Sequence, residues 1–247
     1  MHRHEISAIA HSGHPIAAPL HDDSVQALLD RALPHDEATL LDLGCGSGTW
    51  MMRAQHARPG LRAVGVDNNA DGITAARRAA ADAGLADRTE FHAQDATEFT
   101  SPHLYDVVVS VGATHAFGGL LPTLRAAGSH LSPGGSVLVG EGFWEREPGQ
   151  AVLDAGFAAD EYADLATTVD RVVADGWIPV HGHVSTLQEW DDYEWSWTGD
   201  LSRWALDHPE HPDAGQALDA AAAHRNAWLH GYRGTLGFVT LLLRRTP

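Results

Sequence analysis

Apolar residues in this chain follow two rhythms, short continuous runs and helical stripes, and the rhythm switches repeatedly along its length. Val25, Leu28, Leu29 and Ala32 recur at helical spacing behind Asp22 or Asp23, either of which can cap, and Pro34 stops the helix. The run TLLDL predicts a buried strand over 39–43, and a helix over 49–57 follows, closed by Pro59-Gly60. Next come a strand over 62–66, an alanine-rich helix over 70–83 ending at Gly84, and a strand over 89–93 with Phe91 inward. YDVVVSV over 105–111 is the most continuous apolar run, so that strand should be central and covered on both faces. A helix over 120–130 and the turn Ser132-Pro133-Gly134-Gly135 lead into a fifth strand over 136–140. A helix over 165–174, a strand over 177–184, a helix capped by Ser185 or Thr186, a long helix around 214–229 and an apolar strand over 235–243 complete the series. Strands that alternate with helices in this way predict an α/β fold with a mostly parallel sheet.

Composition narrows the classes. A chain of 247 residues suits one domain, or one with an elaboration, and can bury roughly 70–75% of its unfolded surface. Cys45 is the single cysteine, which rules out an intrachain disulfide and fits a reducing, cytoplasmic location. No run approaches the ~20 apolar residues of a membrane span, and the N-terminal stretch lacks a signal-peptide core. The formal charge is −17, with no lysine at all, which argues against nucleic acid and anionic membrane as partners and leaves a small molecule. A saline habitat can produce the same acidity without any link to substrate. His2, His4, His11, His14 and His21 crowd the N-terminus without a cysteine or an HxxxH pair on an amphipathic helix, so no metal is expected. Monomer and homodimer both stay open.

Candidate chemistry centres on residues 40–51, LLDLGCGSGTWM, where an apolar strand ends in Asp42 and three alternate glycines open the next helix. Gly44, Gly46 and Gly48 let the backbone crowd a ligand, with helix-start amides left to donate. The spacing misses the GxGxxG of dinucleotide loops, since Thr49 or Met51 stands where the third glycine belongs, and a P-loop needs a lysine. Asp67, at the end of the second strand, can accept both ribose hydroxyls of an adenosine in either an NAD or an S-adenosylmethionine site.

The loop matches DxGxGxG, and on it the chain resembles the class I S-adenosylmethionine-dependent methyltransferases. The resemblance implies a Rossmann-like seven-stranded mostly parallel sheet with an antiparallel last strand, helices on both faces and helical insertions covering the substrate. It divides the chain into an N-terminal arm and helix over the pocket, 1–35, and a methyltransferase domain, 36–247, with substrate-covering insertions in 143–230. It implies S-adenosylmethionine as cofactor and S-adenosylhomocysteine as product. Asp42 would orient the amino group, Gly44, Cys45, Gly46 and Gly48 would underlie the methionine, and Asp67 with Asn68 would meet the ribose. Asp95 and Ala96 would meet adenine, and Ser110 on strand four completes the set.

Past strand four, His115 is the residue best able to take a proton near neutrality, and Glu141 emerges after strand five beside Phe143 and Trp144. In the stretch LQEWDDYEWSWTGDLSRW, Trp190, Tyr193, Trp195, Trp197 and Trp204 interleave with Glu189, Asp191, Asp192, Glu194 and Asp200, a combination suited to holding a cation. An amine acceptor is therefore preferred, with oxygen, sulfur and carbon open; equally, these aromatics can cover the sheet. Trp190, Tyr193 and Trp197, with His11 and His14 of the arm, are the candidate substrate contacts. An NAD-dependent oxidoreductase and a non-catalytic cofactor-binding or partner module are the competing readings. Nucleic-acid methylation ranks last, because SVGATHAF replaces the Asn/Asp-Pro-Pro-Tyr/Phe loop of many base-amine enzymes.

Overall fold

The structure, a computed structural model, describes residues 1–14 and 16–246. Its frame is a seven-stranded sheet of order β3-β2-β1-β4-β5-β7-β6, formed by β1 (Thr39–Leu43), β2 (Arg62–Asp67), β3 (Thr89–Ala93), β4 (Tyr105–Val111), β5 (Leu131–Trp144), β6 (Trp177–Val184) and β7 (Leu236–Arg245). β1 to β5 run parallel to one another, and β7 lies antiparallel to β6. Leu40, Leu41 and Leu43 of β1 and Val107, Val108 and Val109 of β4 are completely buried, as continuous apolar runs at the centre of a parallel sheet must be. From β1 the chain moves outward through β2 to β3 and then crosses to β4 on the other side. That reversal leaves a crevice at the carboxyl ends of β1 and β4, the place where open parallel sheets bind ligands.

The helices are α1 (Arg3–Ala10), α2 (Asp22–Ala32), α3 (Thr49–Ala57), α4 (Ala70–Asp82), α5 (Leu120–Ser129), α6 (Gln150–Asp154), α7 (Leu165–Ala174), α8 (Leu187–Asp207) and α9 (Ala214–Ala227). Three expectations need correction, and one short helix is unexpected. His21 stands at the N-cap of α2, and Asp22 and Asp23 fall inside the first turn, where their charge favours the helix dipole. The Ser132–Gly135 turn is absorbed into β5: the ladder with β4 jumps from Tyr105↔Leu131 to Val107↔Ser136, and Ser132 Oγ donates to the Tyr105 carbonyl across the irregularity at 3.0 Å. The short helix α6 carries no clear sequence signal. The last long helix stops at Ala227 and widens into a π turn over Trp228–Tyr232.

The chain divides into two compact units. One holds Met1–Leu20, Gly142–Thr167 and Ser185–Phe238; the other holds His21–Glu141, Thr168–Val184 and Val239–Pro247 and contains the glycine loop with most of the sheet. In the first unit, Ala10 of α1 packs in one cluster with Leu201 and Ala205 of α8 and with Ala214, Ala217 and Ala221 of α9, mostly alanines that let the helices approach closely around Leu201. Among the described residues no helix is long and apolar enough to cross a membrane.

Candidate active site

The glycine loop is held by its neighbours. Gly44 and Cys45 donate their amides to the Val66 carbonyl at 2.8 and 3.0 Å, and Gly46 donates to Asp67 Oδ2 at 2.8 Å. Gly48 donates to the Cys45 carbonyl, also at 2.8 Å, so these four loop amides are taken up within the protein. What the loop offers a ligand is bare backbone. A Cβ on Gly44 would strike Ala113 at the end of β4, and one on Gly48 would come within 2.8 Å of the Phe91 ring. A Cβ on Gly46 would meet nothing within 4 Å, which marks the open side of the turn. All three glycines have φ between 52° and 87°, the left-handed region that favours glycine.

Asp42 sits directly before this turn and is 2% exposed. Its Oδ2 is buried without a hydrogen-bond partner. Burial, reinforced by the negative charge of Asp67, pushes its carboxyl up to about 8. A sealed carboxylate oxygen beside an open glycine turn matches a ligand that brings a positively charged donor, as the ammonium of an amino-acid tail does.

Asp67 works from the end of β2, its other oxygen accepting from the Asn69 amide at 2.9 Å. With about two lone pairs per oxygen, the carboxylate keeps acceptor capacity for hydroxyls. Asn68 is exposed beside it, and Asn69 caps α4 through the Gly72 amide. Asp95 caps a 3₁₀ turn over Ala96–Glu98, and Thr97 donates twice to its Oδ1, at 2.8 Å from the amide and 2.7 Å from the hydroxyl. Those bonds hold its carboxyl below the usual range. Ala96 opens the turn, so its amide lies outside the turn's own bonds.

Ser110 is fully buried and donates to the Leu43 carbonyl at 3.0 Å, which makes it a strut between β4 and β1. The Cys45 thiol is buried and pushed up by that burial and by Asp42, so it stays protonated and unreactive. His115 is exposed on a 3₁₀ turn over Thr114–Phe117, and Glu141 on β5 is 9% exposed.

In the other unit the aromatic candidates separate. Phe143 is 1% exposed, its ring pressed against Gly237, where a Cβ would clash. Trp144 packs edge-on against Phe157 and Tyr162 and donates its indole N–H to the Ala159 carbonyl at 3.1 Å. Both are packing residues. Tyr193 gathers the others: the rings of His11, His14 and Trp190 lie 5.7, 5.5 and 6.4 Å from its own. Trp197 instead stacks on His224 at 3.8 Å.

Sequence reasoning missed the brace behind this group. Glu194, 2% exposed, accepts from His224 Nε2 at 2.6 Å and from the Tyr232 hydroxyl at 2.8 Å. These residues lie on α8, on α9 and in the π turn, and nothing local marks them as partners.

The chain is similar in sequence and fold to known proteins. The family described as "Methyltransferase domain" matches residues 34–174. Uncharacterized protein YjhP of Escherichia coli is 30% identical over 210 residues, 83% of this chain and 84% of that protein. An S-adenosylmethionine-dependent methyltransferase from Geobacter sulfurreducens, solved with S-adenosyl-L-homocysteine, superposes with a TM-score of 0.88 at 25% identity over 98% of both chains. Another from Thiobacillus denitrificans, also solved with S-adenosyl-L-homocysteine, gives 0.88 at 28% identity over 100% of this chain and 99% of that one.

Proposed function

The chain belongs to the class I S-adenosylmethionine-dependent methyltransferases, and from that premise we propose that it methylates a small-molecule acceptor by direct in-line displacement, with His115 or Glu141 assisting proton removal. The observation that carries the cofactor side is the unpartnered Oδ2 of buried Asp42 beside the open face of Gly46. Asp42 receives the ammonium of the methionine moiety, Asp67 takes the ribose hydroxyls, and Asp95 with the Ala96 amide addresses adenine. The bound cofactor supplies a methyl on positively charged sulfur, already open to nucleophilic attack. The protein's remaining work is to align the acceptor and remove a proton where the acceptor carries one. The exposed imidazole of His115 can pass that proton to water.

The preference for an amine rests on carboxylates interleaved with tryptophans, and those carboxylates have other partners. Glu189 closes a capping box with Thr186, Asp191 takes a two-pronged bond from Arg233, and Asp192 accepts from Gln188. Glu194 and Asp200 are likewise bonded, the latter to Gly13, Ser196 and Arg203. They form a structural lattice around α8, and the support for a cation weakens accordingly. Titration calorimetry tests the functional reading: S-adenosylhomocysteine should bind, NAD should give no heat, and Asp42→Asn should weaken the former at least tenfold. Tight NAD binding with no S-adenosylhomocysteine signal would overturn it.

A further inference from the structure

The group around Tyr193 contains polar atoms that folding leaves unused. Nδ1 of His11 and Nε1 of Trp190 are buried without hydrogen-bond partners, and the Tyr193 hydroxyl has none among the described residues. Each of the two buried nitrogens costs free energy unless something completes it. The two flank one ring and come from elements as separate as the N-terminal arm and α8. The arm is fixed to α8 for this purpose: Gly13 donates to Asp200 Oδ2 at 2.6 Å, and a Cβ at Gly13 would collide with that carboxylate. His14 is set by its Nδ1 bond to the Ile16 carbonyl at 2.8 Å. Behind Trp190 stands the ring of Tyr232, whose hydroxyl is locked to Glu194.

The charge balance defines what fits. Glu194 and Asp200 have their partners, and the guanidinium groups of Arg203 and Arg233 are matched to Asp200 and Asp191. Burial keeps His11 uncharged, its imidazole pulled down to about 4. An anion entering here would meet the charge of Glu194, and a cation would be stripped of water before a carboxylate whose two oxygens are already taken by His224 and Tyr232. Flat aromatic walls with one fixed donor, one hydroxyl and one imidazole nitrogen suit a neutral ring that carries hydroxyl or carbonyl groups.

We propose that Trp190 Nε1, the Tyr193 hydroxyl and His11 Nδ1 form the acceptor-recognition site, and that the acceptor they take is an uncharged planar molecule bearing hydroxyl or carbonyl groups. This rests on the reading that the chain methylates a small molecule. Three probes of one shape test it with the full chain and S-adenosylhomocysteine: 4-hydroxybenzyl alcohol, 4-hydroxybenzylamine and 4-hydroxybenzoate, followed by saturation-transfer NMR. The alcohol should bind several-fold more tightly than either ion, and Tyr193→Phe should weaken it about tenfold. Without probe, Tyr193→Phe should melt close to the parent temperature, because the hydroxyl it removes bonds to no other described residue, whereas Tyr232→Phe loses the bond to Glu194 and should melt lower. Tighter binding of a charged probe, unchanged binding in Tyr193→Phe, or a drop in its melting temperature like that of Tyr232→Phe would overturn the proposal. If S-adenosylhomocysteine binds and no probe does, this inference alone falls; if S-adenosylhomocysteine itself does not bind, the functional reading falls first.

Discussion

A carboxylate closed off from water holds its proton until a cation arrives, and Asp42 is in that position. Its folded value of about 8 lies above the ordinary 3.8, so between those limits the folded chain keeps a proton that the unfolded chain has lost. The sign follows: this group stabilises the cofactor-free protein at acid pH, and the contribution fades as pH rises through about 8, at about 1.4 kcal/mol per pH unit at most. Asp42→Asn should therefore flatten the decline of melting temperature between pH 5 and 8 while abolishing tight cofactor binding. On the proposed binding mode, pairing with the cofactor's ammonium at neutral pH would ionise Asp42. Calorimetric heats of S-adenosylhomocysteine binding should then vary with buffer ionisation enthalpy in proportion to the proton released.

The loop glycines make a second pair of residue-scale tests. At Gly44 an added methyl meets Ala113, so Gly44→Ala should lose about 1–3 kcal/mol of stability as well as binding. At Gly46 the space is open and only the positive φ of 52° resists, which costs about 1 kcal/mol. Gly46→Ala should fold and melt close to the parent yet bind S-adenosylhomocysteine at least tenfold more weakly, because the methyl occupies the face the ligand needs. Equal binding by that variant would show that the open side of the turn is not where the cofactor lies.

At the scale of elements, α8 is the member whose start is best defined. Thr186 accepts from the Glu189 amide at 3.2 Å, and Glu189 reaches back to the Thr186 amide at 2.8 Å, a reciprocal box that satisfies two end groups. Thr186→Ala should cost about 1 kcal/mol, read as a shift in the urea midpoint with the slope unchanged. From that fixed start Trp190, Tyr193, Glu194 and Trp197 recur three or four residues apart and share a face of the helix, which is why one helix supplies both the polar ring and its brace. The glycine turn obeys the same logic from the strand side: β1 and β2 are in register with Asp42 opposite Gly65, and Val66 receives the loop amides.

The whole molecule carries a formal −17 without a lysine. Surface carboxylates in that excess repel one another, and added salt screens the repulsion over a Debye length that falls from about 10 Å at 0.1 M to about 3 Å at 1 M. Melting temperature should rise steadily between 0.05 and 1 M sodium chloride; a fall would show that ion pairs such as Arg53–Asp22, at 2.6 Å, outweigh the general repulsion.

The sequence by itself determined the alternation of strands and helices, the family, the cofactor and the places of Asp42, Asp67 and Asp95 at or just past the ends of three successive strands, because each depends on residues close together in the chain: an apolar run, a turn stripped of side chains, a carboxylate at a strand end. It named the aromatic residues of α8 and left the task of their carboxylates open between holding a cation and facing water; their partners in the fold depend on what stands opposite in space. Only the tertiary structure decided that Ser110 is a strut, that Phe143 and Trp144 are packing residues, and that Glu194 joins His224 and Tyr232 across 30 and 38 residues of chain. The reason is physical: a local pattern fixes backbone geometry, whereas the burial and partner of a polar atom, and so its chemistry, are set when distant segments meet.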